Sequence, residues 1–277
     1  MKRTTKEKII LGIFSFADGM TYKDIAAYAS STAFFFFIAI IPLLIILSKL
    51  LPYTGITDDQ LVSIVTKVTP EYTDLMVVLI IKQAYESSVG VISISAVVLL
   101  YATARGMLAL LRGLNRIYEV EQHKRNGLIM MIRAFIYTFI MVIDLVLLLL
   151  IIVFGETIMQ FLVKYIRLPD RVPLLYSFRY LFMLTAGTLS FMLVFAYLPG
   201  ERQPFMRQFI GALFSYVALM VFSFIFSIFI NTSIYSTYYG SLAAVAVFMM
   251  WLYGCFYIML IGANINHSLS RAGITIR

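Results

Sequence analysis

Residues 89–111 read VGVISISAVVLLYATARGMLALL, an apolar run interrupted by one charge, Arg105. A helix rising about 1.5 Å per residue needs roughly 20 residues to cross a hydrocarbon core about 30 Å thick, and this run is long enough. Five further runs of this kind lie at about residues 29–51, 134–155, 180–198, 209–230 and 241–263. The bilayer is therefore the solvent in which the chain is to be read. In lipid each segment has to satisfy its own backbone groups, and the alternating ten-residue pattern of barrel strands is absent. The expected fold is all-α: a polytopic membrane protein with six transmembrane helices, forming one membrane domain over residues 1–277.

Composition points the same way: 61% hydrophobic residues, 13% charged residues and a mean hydropathy of +0.92 lie far from the balance of a water-soluble domain. The single cysteine, Cys255, falls inside an apolar run, which excludes a disulfide framework within one chain. The N-terminus has a basic start but a short apolar stretch, then Asp18, Lys23 and Asp24, so it is read as retained rather than cleaved.

Orientation follows from Lys and Arg. With residues 1–28 cytoplasmic, the inner segments carry about twice as many basic residues as the outer ones, the bias that sets topology. Both termini, including the tail 264–277, are thus expected in the cytoplasm. The net charge of +8 is then a topological signature that favours contact with anionic lipid, and a nucleic-acid partner is not expected.

Thr21 followed by Asp24 is a capping-box pattern and predicts that the first helix starts near Tyr22. Pro42 in its middle predicts a kink. Between the first two spans, Thr57 with Gln60 and Thr69 with Pro70 predict two short extracytoplasmic helices, the second too short to span.

Ionisable residues within spans are costly and become candidates for function. Asp144 is expected near the midplane, roughly 16 Å along the third span from Arg133. Arg105 is expected roughly 10 Å above the cytoplasmic boundary, placed either to snorkel outward or to turn toward Asp144. Arg105, Arg112 and Arg116 share one helical face and form a basic ladder suited to a phosphate, or simply to headgroup anchoring. Ala102, Gly106, Ala109 and Gly113 line an adjacent face of small residues, predicting a close helix contact. Trp251 lies too deep for an interfacial belt and should pack in the core with its N–H bonded to another helix. Asn264 and Asn266 are expected to satisfy backbone groups at the cytoplasmic helix end.

The only histidines, His123 and His267, flank the spans, and no metal-ligand spacing, P-loop, GxSxG elbow or Rossmann glycine pattern occurs. Neither an enzyme nor a cofactor is expected.

The blocks AFFFFIAIIPLL (33–44), LLYATARGMLALLRGLNRIYEVE (99–121), LPGERQPFMRQFIGALF (198–214) and YYGSLAAVAVFMMWLYGCFYIMLIGANIN (238–266) resemble the YihY/BrkB family of bacterial inner-membrane proteins. Distinctive positions include Pro42, Gly106, Asn115, Tyr118, Pro199, Gly200, Gly211, Gly240, Trp251, Gly262 and Asn266. The family once carried the label ribonuclease BN, generally regarded as mistaken. The resemblance implies an inner-membrane location and a link to the cell envelope, with lipid or glycolipid export proposed for members. Many relatives read GAE where this chain has Gly262, Ala263 and Asn264, which argues against carboxylate-based proton coupling at that position.

The leading expectation is a transporter or flippase-like protein for a lipid or amphipathic anion. Arg105, Arg112, Arg116, Asn115 and Asp144 are its ligand-site candidates; Pro42, Gly106, Gly240, Trp251, Gly262, Asn264 and Asn266 are its structural or gating candidates. Partners would be anionic lipids, and the small-residue faces also allow a homo-oligomer. The alternative is a non-transporting scaffold that recruits envelope partners through residues 112–133 and 57–87.

Overall fold

The computed structural model describes residues 14, 16–17, 23–50, 62, 78, 89–120, 132, 134–140, 143, 172–232 and 235–273. All regular structure among them is helical: α1 (Ile25–Leu50), α2 (Val89–Ile117), α3 (Val172–Tyr197), a 3-10 turn (Phe205–Gln208), α4 (Phe209–Thr232) and α5 (Tyr235–Arg271). Segments within these elements, Ile25–Leu43, Gly90–Ile117, Phe205–Ile228 and Val245–Arg271, are long and apolar enough to cross a membrane, and Met183–Tyr197 in α3 is a shorter apolar helix. Of the expected third span, residues 134–140 and 143 are helical and the remainder lies outside the described residues. The two extracytoplasmic helices also lie outside them, apart from Val62 and Val78, each helical.

Several boundaries differ from the sequence reading. Helix α1 begins at Ile25 rather than near Tyr22, because Asp24 takes a left-handed backbone (φ 50°) and its carbonyl accepts the Tyr28 N–H at 3.1 Å. Asp24 therefore stands at the helix entrance, not in the first turn. Helices α2 and α5 run past the ends of their apolar runs, to Ile117 and Arg271. Much of the expected cytoplasmic tail is thus helix, since its residues from Asn264 onward pack against other elements. Pro42 is buried inside α1, which continues through it.

Hydroxyls within the helices solve the lipid solvation problem locally. Thr32, Thr103 and Thr138 donate to the carbonyls of Tyr28, Leu99 and Ala134 at 2.7, 2.7 and 2.8 Å, each one turn back.

Packing is built on small residues. Helices α1 and α2 lie along one another, and Ala29, Ala33, Ala102 and Ala109 are buried within the bundle. A Cβ on Gly106 would stand 2.9 Å from the Phe36 ring, and one on Gly113 would stand 2.9 Å from Tyr28 Cβ. Helices α4 and α5 cross more tightly: a Cβ on Gly211 would collide with the Gly262 carbonyl, and one on Gly262 would meet the Gly211 carbonyl at 2.6 Å. Where lipid is as apolar as the side chains, such close backbone approach is what associates helices. Outward-facing Ile94, Val97, Phe224 and Ile225 are exposed, as a lipid-facing surface requires.

The helix ends gather at one pole. Lys23, just before α1, reaches the carbonyl of Ile117 at the end of α2; Tyr118, just after α2, reaches Gln208 before α4; and Asn266 near the end of α5 reaches Gly211 in α4. The starts of α1 and α4 and the ends of α2, α3 and α5 therefore share a polar end of the bundle.

Candidate functional site

Arg105, Arg112 and Arg116 all lie exposed on one face of α2, beside the face of small residues that packs on α1. The Arg105 guanidinium sits over the rings of Phe35 and Tyr101, 5.5 and 5.9 Å from their centroids, a cation–π arrangement that gains strength when desolvated. Because α2 runs on to Ile117, Arg105 lies about 18 Å along the helix from its end. Gly106 packs on Phe36 and Phe35, so the small-residue contact fixes the rotation of α2 that presents Arg105. Asp144, the expected partner of Arg105, lies outside the described residues.

Asn115 is buried with its amide oxygen accepting the Gly200 N–H at 2.6 Å, and its backbone carbonyl accepts the Val120 N–H at 3.0 Å. It ties the end of α2 to the turn after α3. Asn266 does the same work for α4: its Oδ1 accepts the Gly211 N–H at 2.7 Å and its Nδ2 donates to the Gln208 carbonyl at 3.1 Å. Asn264, fully buried, donates to the Phe16 carbonyl at 3.1 Å while its Oδ1 has no partner. The expected role of these asparagines, satisfying backbone, is met, but the backbone belongs to other segments. Trp251 donates to Ser223 Oγ on α4 at 3.4 Å and stacks on Phe248. Gly240 lies in α5.

Sequence reading did not single out the charged cluster at the polar end. Glu119, the second residue after α2, has a left-handed backbone (φ 55°) and closes the helix in a Schellman-type turn, a position that favours glycine. Its Oε1 faces Arg271 Nη1 at 3.3 Å, His267 Nε2 at 3.4 Å and Lys23 Nζ at 3.6 Å. Lys23 is buried, and its ammonium donates to the Ile117 carbonyl at 2.7 Å. Burial pushes the lysine below its usual range, while Glu119 works against that shift. Burial acts to raise Glu119, but His267, Lys23 and Arg271 more than offset it and hold the carboxyl below its usual range. The one available sequence signal was the proximity of Lys23, Glu119 and Arg271 to helix ends, which leaves their convergence undetermined. Among the described residues no group of His, Cys, Asp and Glu could hold a metal ion.

The family model described as virulence factor BrkB matches residues 16–275. A ribonuclease-like protein of Bacillus subtilis (strain 168), YfkH, is 26% identical over 249 residues, covering 88% of this chain and 89% of that protein. No solved structure matches.

Proposed function

The chain belongs to the BrkB virulence factor family and has helices able to cross a membrane, and from that footing we propose that it is a multi-pass protein of the bacterial cell membrane that binds and moves a lipid or another amphipathic anion. The observation that carries this reading is the exposure of Arg105, Arg112 and Arg116 along one face of α2. A cation well inside a span costs about 3 kcal/mol on insertion scales, a cost that an apolar residue at Arg105 would avoid. A phosphate or carboxylate headgroup descending the ladder would offset it, with the guanidinium groups as paired donors.

The helix ends support six spans. Helices α2 and α3 both finish at the polar end, so the chain between them has to return to the far side, and residues 134–155 supply an apolar run for that crossing. Both termini then lie on one side, the cytoplasmic one by the excess of Lys and Arg. The activity proposed is non-enzymatic and has anionic lipid as its natural partner.

The test is native mass spectrometry of the gently solubilised protein, comparing the wild type with an Arg105→Gln, Arg112→Gln variant, followed by flux assays in reconstituted vesicles. Retention of a distinct anionic lipid by the wild type and its loss from the variant is the expected result. Bulk lipid alone in both would reduce the arginines to headgroup anchors and leave a scaffold that recruits envelope partners as the better reading.

A further inference from the structure

The cluster around Glu119 brings three cationic or donor groups from two parts of the chain onto one carboxylate oxygen. Lys23 comes from the entrance to α1, and His267 and Arg271 come from the last turns of α5, one turn apart. Arg116 on α2 adds its field at Lys23. Counting Lys23, Arg271 and Arg116 against Glu119, the cluster keeps an excess of positive charge even with His267 neutral.

Glu119 fills this cluster poorly. Its contacts, at 3.3, 3.4 and 3.6 Å, are longer than the roughly 2.7–2.9 Å of a well-made charge-assisted hydrogen bond. The buried His267 Nε2 meets Glu119 only at the long separation of 3.4 Å. Glu119 reaches the cluster from the left-handed position that closes α2, where glycine is the favoured residue. The carboxylate is also half-exposed, so it can leave toward solvent, whereas Lys23 is buried and stays. A planar carboxylate presents one oxygen here to three donors; a tetrahedral phosphate presents several, spread in different directions.

We infer that Lys23, His267 and Arg271 form an anion site for a phosphate group, on a lipid headgroup or free, which the Glu119 carboxylate occupies in this structure as an internal stand-in. The incoming phosphate takes over the three donors and Glu119 turns out to water. No covalent step is involved. The site adjoins the ladder at Arg116 but shares none of the exchanged residues: exchanges at Arg105 and Arg112 test the ladder, and exchanges at Glu119 and Lys23 test this cluster, so each can fail alone.

The experiment uses the full chain in nanodiscs, comparing wild type, Glu119→Gln, Glu119→Gly and a Glu119→Gln, Lys23→Gln double variant. Glycine accepts φ 55° without strain, so Glu119→Gly preserves the helix end if the glutamine variant does not fold. In phosphatidylcholine discs inorganic phosphate is titrated at constant ionic strength; in a second arm phosphatidylglycerol retention is read by native mass spectrometry. Removing the competing carboxylate should tighten phosphate or phosphatidylglycerol binding about ten-fold, and removing Lys23 as well should abolish the gain. A gain in the first arm identifies free phosphate as a ligand, and a gain confined to the second identifies the lipid headgroup. Unchanged or weaker binding by folded Glu119 variants overturns the proposal. Failure of both single variants to fold also overturns it, because Glu119 would then be a structural clamp.

Discussion

Glu119 holds a backbone conformation that costs an ordinary side chain about 1–2 kcal/mol, and the turn that closes α2, with the Val120 N–H on the Asn115 carbonyl, requires it there. Its carboxyl lies below the usual range in the folded protein. A depressed carboxylate contributes stability that is fully present above its unfolded value, about pH 4.3, and is lost as pH falls through the folded value. Thermal unfolding in phosphate-free detergent solution should therefore show an acid limb below about pH 4.3 that flattens in Glu119→Gln. The two asparagines of α5 differ in a testable way. Replacing Asn266 with Ala strands the buried Gly211 N–H and Gln208 carbonyl and should cost about 2 kcal/mol. Replacing Asn264 removes one bond to Phe16 but also an acceptor that already lacks a partner, so the loss should be smaller. Equal losses in unfolding experiments would contradict this assignment.

At the scale of helices, the two glycine contacts differ in what stands opposite. On Gly211 and Gly262 an added methyl would meet the carbonyl of the facing helix, which cannot give way without moving the backbone. On Gly106 it would meet the Phe36 ring, a side chain able to turn. Gly262→Ala and Gly211→Ala should each lower stability by about 1–3 kcal/mol, with Gly106→Ala costing less. Melting points in detergent give the ranking, and an inverted order would show that the α1–α2 contact is the stiffer one. The small-residue spacing at 102, 106, 109 and 113 was legible because it depends only on helical periodicity. The α4–α5 crossing was not, since Gly211 and Gly262 become partners only when the helices meet.

For the whole molecule, the convergence of helix ends makes Glu201 and Ser270 neighbours of one polar pole, and both are exposed. In a Cys255→Ser background, cysteines introduced at either position should resist an impermeant maleimide in intact cells and react in inside-out vesicles. Labelling of one from each side would break the proposed topology. The residues alone determined the solvent and the helical class, because a run such as 89–111 has to satisfy its backbone internally wherever it lies in lipid. They also marked Arg105, Arg112 and Arg116 as one face and gave Trp251 a hydrogen-bonding role, since helical period and burial depth are local properties. Only the tertiary structure decided that Asn115 and Asn266 serve the backbones of neighbouring segments, and that Lys23, His267 and Arg271 meet at Glu119. These residues are far apart in the chain, and the rotation and register of packed helices, set by glycines and alanines at their crossings, bring them together.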